Sequence, residues 1–335
     1  MVLTERQILK RDHSVSTADQ REGSKEYDKR RQLELSCRAI DHSINRRGRR
    51  LDSGEGPDKR IIDRMSDFDD LLPRDGIPPR RAFQNQRQQW LDGDERARYR
   101  RHGHALYSES DIEYCFNSLG YRCAEFDTPA DIRIVAAGCS YVLGVGLPER
   151  ALFHQRFAER FRSSARTVVS WNLGASGASN DYVNRILQLA VPHLDPHIVL
   201  VNFTHAGRRE YVSVQNTLLP YYPDWSPRNA VYREIKSHFD ALSSSGDDRL
   251  NLFRNYRAIA ALLADRCWLF TTIEPSTLAG VMDHVDQERY AGAMEILDYA
   301  RDDVHPGAES HAALERRCWE CFSLLREKAG GFAWE

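Results

Sequence analysis

No window of the 335-residue chain approaches the apolar length needed to span a bilayer, and its opening, MVLTERQILKRDHSVSTADQ, holds no apolar run that could serve as a secretory signal. A soluble cytoplasmic protein with no membrane partner is expected. An excess of charge is also missing. The chain carries 47 Lys and Arg against 49 Asp and Glu, so no global field points to nucleic acid or to an acidic partner. The seven cysteines, an odd number scattered from Cys37 to Cys321, suit free thiols in a reducing compartment better than a disulfide framework. Cys318 and Cys321 have CxxC spacing, but they lie in AALERRCWECFSLLREKA, an amphipathic helical pattern, and no second pair is near. They imply no metal. No internal repeat is evident. What the composition does supply is 41% hydrophobic residues, over a length that suits one large domain or two ordinary ones.

The first hundred residues differ from the rest. They are dense in Arg, Asp, Gln and Glu, with short apolar clusters such as IIDRM and FDDLLP, and LDSGEGPDK and PRDGIPPRR read as turns or linkers. Residues 1–103 are therefore expected to form a charged N-terminal extension, partly helical or irregular. Its 23 basic and 19 acidic residues over 1–100 are intermixed, without the basic stripe and interleaved aromatics of a nucleic-acid surface. Surface helices and arms on a larger body, or an arm for homo-oligomerisation or partner binding, are the readings that remain. Residues 104–130, with aromatics around NSLG, read as two extended segments joined by a turn, a lead-in packed on the main domain.

From 131 to the end, apolar strands alternate with helical periodicity. IRIVAAG, TVVSWNLG, HIVLVNFT and CWLFTTIE read as strands, with helices near 149–163, 179–193, 249–265, 287–299 and 308–328 and a long polar insertion after the third strand. The expected fold is α/β, a parallel sheet covered by helices on both faces. In such a sheet ligands gather at the carboxyl ends of the strands, where the first strand runs into GCSYVLGVGLP. That stretch lacks the Gly-Lys-Ser/Thr of a phosphate loop and the pattern GxGxxG, so no nucleotide cofactor is implied. It also lacks GxSxG, because Val142 stands where the second glycine should be.

Gly138-Cys139-Ser140, followed by Gly144 and Gly146, resembles block I of the SGNH (GDSL-type) hydrolases, with Cys139 in place of the usual Asp. SWNLGASGASND resembles block II, in which the glycine five residues after Asn172, Gly177, offers a backbone N–H to the oxyanion hole. ARDDVHPGAESHAALE resembles block V, with Asp302 and His305 three apart on one short loop. The resemblance implies Ser140 as nucleophile, His305 as general base and Asp302 as its orienting carboxylate, with the backbone N–H groups of Ser140 and Gly177 on the oxyanion. Asp303 is expected to face solvent or cap a turn. Block III is not matched: VNFTHAGRREY stands where the family has Gly-x-Asn-Asp, which brings Thr204 or His205 to the place of the missing donor, while Asn202 points within the strand. Arg208 and Arg209 are candidates for an anionic substrate group, with a solvated strand end as the alternative.

The resemblance covers residues 131–325 and implies a three-layer α/β/α sandwich of flavodoxin-like topology, without metal or other cofactor. It implies a serine esterase, deacetylase, thioesterase or acyltransferase acting through an acyl-enzyme. A small or medium polar ester or acyl donor is the expected partner, since no segment reads as a lipid-binding cap. The competing reading is a non-catalytic binding or assembly module that keeps the fold with altered blocks I and III. Cys139 is expected to turn away from Ser140 and pack as a small buried hydrophobe.

Overall fold

In the computed structural model, residues 72–73, 76–91, 94, 96–212, 218–223 and 230–332 are described. The chain divides into residues 1–62 with 227–235, and residues 63–226 with 236–335. The first unit is described only at 230–235, the start of a helix. Most of the expected N-terminal extension, and any oligomerisation through it, lies outside the described residues.

The second unit is built on five parallel strands, β3 (Ile132–Ala137), β4 (Val168–Asn172), β5 (Ile198–Phe203), β8 (Cys267–Thr272) and β9 (Tyr290–Ala293). They lie in the order β4-β3-β5-β8-β9. This is the flavodoxin-like order, whose reversal point lies between the first and third strands of the sheet. Because side chains alternate across a strand, each one feeds two cores. Val135, Val199, Val201, Trp268 and Phe270 pack with Val183 and Ile186 of α4 (Asn180–Leu194) and Leu252 and Ile259 of α6 (Ser245–Leu262). Ile132, Ile134, Leu200 and Leu269 pack with Phe153 and Phe157 of α3 (Phe153–Glu159) and Leu314, Cys318 and Phe322 of α7 (Ala308–Ala329). The fold is a three-layer α/β/α sandwich. Cys318 and Cys321 are part of that second core, and burial pushes both thiols up, Cys321 to about 11.

One expected helix is absent. Residues 287–299 instead form a short turn at Gln287–Arg289, the edge strand β9, and an irregular loop. The apolar spacing of Tyr290, Ala291 and Met294 suited either structure, as short apolar runs do. Gly292, at φ +95°, interrupts the local regularity, while the Met294 N–H donates to Thr272 O at 2.7 Å and so joins the ladder of β8. The polar insertion holds a hairpin, β6 (Arg209–Val212) with β7 (Leu218–Tyr221), and helix α5 (Ala230–Leu242).

The described residues between 76 and 103 belong to the second unit. β1 (Arg87–Gln88) pairs antiparallel with β2 (Tyr114–Cys115), and α1 (Arg96–His102) lies between them in sequence. The NSLG segment is a turn, in which Asn117 Oδ1 accepts from the N–H groups of Leu119 and Tyr121. Gly120, at φ +84°, lets the turn come against Arg80 O, which a Cβ would meet at 2.3 Å.

Candidate active site

All the residues expected to act in chemistry follow the carboxyl ends of sheet strands. Ser140 opens α2 (Ser140–Leu143), directly after β3, and is buried. Cys139 is the N-cap and lies in the core facing α4. The glycines that follow have a steric reason. Gly144 caps α2 in the left-handed region at φ +78°, where a Cβ would lie 2.2 Å from Leu152. Gly146, at φ +76°, lies against the loop that carries the other candidate residues, where a Cβ would meet Ala300 at 2.7 Å and Asp302 Oδ1 at 3.3 Å. The Arg301 N–H closes this contact by donating to Gly146 O at 3.0 Å.

Asp302 and His305 belong to one tight turn. The fully buried Asp302 carboxylate accepts through Oδ1 from the backbone N–H groups of Val304 (3.1 Å) and His305 (3.0 Å), a local pattern short carboxylates favour. Its Oδ2 lies 2.5 Å from His305 Nδ1. Burial alone would raise the Asp302 carboxyl, but the bond and charge of His305 and the backbone donors outweigh it and hold the carboxyl below its ordinary value. The carboxylate therefore stays ionised beside the ring. The Tyr141 ring stands edge-on to the His305 imidazole at 6.0 Å, so the residue beside Ser140 touches the candidate base. Asp303 turns outward at φ +54° toward Arg98 and His104.

In the loop after β4, Gly177 has φ +67°, and a Cβ there would lie 2.5 Å from the Tyr222 hydroxyl. The backbone N–H groups of Ser140 and Gly177 donate to no backbone acceptor among the described residues. Thr204 is fully buried, and its N–H donates to Asn180 Oδ1 at 2.9 Å while Asn180 Nδ2 donates to Thr204 O. Its hydroxyl accepts from Arg208 Nη1 at 2.9 Å and keeps its own proton to donate. Asn202 donates to Thr271 Oγ1 across the sheet, within the strand layer. The His205 ring lies 3.0 Å from Glu274 Oε1 through Nδ1.

His205, Arg208, Tyr222, Glu274 and Thr277 line a cavity of about 510 Å3 at the ends of β5 and β8. Arg208 lies over the Tyr222 ring at 5.7 Å, and the buried Thr277 hydroxyl has no partner among the described residues. Burial pushes the Tyr141 phenol up to about 12. Arg209 is placed differently. Its nearly buried guanidinium donates to Ala206 O, Arg208 O, Asp247 and Asp248, which ties the start of the hairpin to α6. Among the described residues no cluster of three or more His, Cys, Asp or Glu could hold a metal ion, and no helix is long and apolar enough to cross a membrane.

Sequence offered Ser179 or Asn180 as the cap of the helix after the second strand, and Ser179 is the cap while Asn180 bonds Thr204 instead. Tyr141 and Tyr222 were not singled out, and Tyr222 reaches Gly177 from a distant insertion with no local signal.

Ser140 stands after the end of β3, with the buried Asp302–His305 turn against the loop that follows it. The chain resembles the SGNH hydrolases. No family model and no curated protein matches it. Similar solved structures include an acetyl xylan esterase from the rumen bacterium Butyrivibrio proteoclasticus (12% identity, 61% of this chain and 66% of that one, TM-score 0.37). They also include the psychrotrophic esterase EstA from Pseudoalteromonas sp. (11%, 57% and 97%, TM-score 0.36) and a GDSL-like lipase from Bacteroides thetaiotaomicron (15%, 58% and 89%, TM-score 0.35). At such values the functional reading rests on the chain's own residues.

Proposed function

We propose that this chain is a serine esterase or acyl-transfer enzyme of SGNH type acting on a small or medium polar ester. The observation that carries the reading is the His305–Asp302 pair, held in one turn and packed on the loop that follows Ser140. Ser140 Oγ attacks the ester carbonyl carbon as His305 Nε2 takes its proton, and the ionised Asp302 holds the Nδ1 proton and stabilises the imidazolium. The carbonyl oxygen gains its charge toward the N–H groups of Ser140 and Gly177, with the Thr204 hydroxyl as a third donor in place of the missing asparagine. His305 then protonates the leaving alcohol. Water or a second acceptor attacks the acyl carbon and loses its proton to His305, and as the bond to Ser140 Oγ breaks His305 gives that proton to the serine, releasing the acid or the transferred ester.

Arg208 is the proposed anchor for a substrate carboxylate or phosphate group in the cavity, with Tyr222 as the wall between the cavity and Gly177. A fluorophosphonate probe should label Ser140 in the wild type, and Ser140→Ala should remain folded and lose at least about a thousandfold in rate on the best ester of an acetyl, short-acyl and thioester panel. A folded Ser140→Ala protein that kept most of the rate would remove the serine from the mechanism. A wild type that neither takes label nor turns over any ester would leave the binding-module reading standing.

A further inference from the structure

We infer that Asp94 is a positioning residue which, through Tyr114 and Arg301, fixes the loop after Ser140 against the loop of Asp302 and His305; the inference rests on the serine chemistry proposed above. The four groups form a closed circuit. The Gly146 N–H donates to the Tyr114 hydroxyl at 2.7 Å, and that hydroxyl donates to Asp94 Oδ2 at 2.7 Å. The same carboxylate oxygen accepts from Arg301 Nη2 at 2.5 Å, and the Arg301 backbone N–H returns to Gly146 O at 3.0 Å. Arg301 immediately precedes Asp302, and Gly146 closes the loop that begins at Ser140.

Both charged side chains of the circuit are fully buried. Arg301 also donates to the same segment, through Nη2 to Gln89 O and through Nη1 to Glu109 O, while its Nε has no partner among the described residues and its guanidinium lies 3.7 Å from the centre of the Trp90 ring. Tyr114 is held in turn. The Arg122 guanidinium lies over its ring at 4.4 Å while donating to the carbonyls of Leu143, Gly144 and Leu147. The segment before the sheet thus grips the nucleophile loop by its carbonyls and one N–H, and the base loop by Arg301. Each loop is ordered by its own short-range bonds, but their separation is set by this circuit. Since a misplacement of about 1 Å can cost about a hundredfold in rate, the circuit controls turnover without touching substrate.

The test compares Tyr114→Phe, which removes one hydroxyl and keeps the ring beneath Arg122, with Asp94→Asn and with Phe322→Leu, a destabilising control in the opposite core. Thermal melting, the rate of fluorophosphonate labelling and the downfield proton resonance of the His305–Asp302 bond, identified by its loss in His305→Gln, are recorded for each. Tyr114→Phe and Asp94→Asn should label about 10- to 100-fold more slowly while folded, with the resonance shifted or broadened, and folded Phe322→Leu should label at the wild-type rate. Should Asp94→Asn fail to fold, Tyr114→Phe decides. A folded Tyr114→Phe protein labelling like wild type overturns the inference, and so does equal slowing in Phe322→Leu, since the effect would then be one of stability alone. If the wild type itself takes no label, the serine reading fails separately, and an unmoved resonance in Tyr114→Phe still overturns the circuit.

Discussion

Acidification from pH 7 to pH 5 should destabilise this protein by about 4 kcal/mol through two buried histidines that are not proposed to take part in chemistry. His154 and His311 are both fully enclosed beside Phe153, and burial, with each group's charged neighbours contributing less, lowers each imidazole to about 3. His154 Nδ1 bonds the Ser170 hydroxyl at 2.9 Å, and its Nε2 has no partner among the described residues; His311 Nδ1 accepts from the Phe153 N–H at 3.2 Å, which requires that nitrogen to be unprotonated. In the unfolded chain each ring titrates near its ordinary value of about 6.5. Below that value the unfolded state binds protons that the folded state refuses, so stability is complete above about pH 6.5 and is lost as pH falls toward about 3. Each ring contributes about 2 kcal/mol between pH 7 and pH 5, a large share of a typical total of about 5–15 kcal/mol. Less deeply placed, His197 is also lowered by burial and adds in the same direction. Urea titrations at pH 7, 6 and 5 measure the slope, and His311→Gln should remove close to half of it whatever it does at pH 7. A midpoint that did not move between pH 7 and pH 5, or an unchanged slope in His311→Gln, would refute the argument.

Asp302→Asn should lower kcat nearly as much as loss of Ser140, because it removes the partner of His305 Nδ1, while Asp303→Asn should be mild, its carboxylate being turned toward Arg98 and His104; steady-state kinetics of both variants check the order. Arg208→Ala should leave the fold intact and raise KM for an acidic ester about 10- to 100-fold, the value of one charge-assisted bond, with a matched neutral ester almost unaffected. Arg209→Ala should instead lower the melting temperature, since its side chain ties the hairpin to Asp247 and Asp248. Melting curves beside kinetics on the paired esters separate the two arginines.

The sheet was legible because each central strand alternates between two buried faces and therefore reads as a continuous apolar run bounded by helical periodicity. That signal placed β3, β4, β5 and β8, together with the helices packed on them. It failed at β9, a short edge strand whose buried Ala291 and the buried Met294 just beyond it are spaced as a helix would space them. The Asp302–His305 turn was legible for a related reason. A carboxylate that bonds backbone N–H groups two and three residues on writes its geometry into a four-residue string.

The separation between the two loops has no such string. Asp94 and Arg301 stand 207 positions apart, and Asp94 lies in a stretch that composition grouped with the charged extension. Removing either partner of a buried pair costs about 3–5 kcal/mol, yet a well-packed apolar pair could often replace both at little loss of stability. Stability alone is thus a weak reason for a buried carboxylate and guanidinium at this place. An apolar pair could not accept the Tyr114 proton, and without that bond the Gly146 N–H would lose its fixed partner at the foot of the Ser140 loop. One oxygen of Asp94 accepts from both Tyr114 and Arg301, the residues that hold the two loops of the proposed triad together.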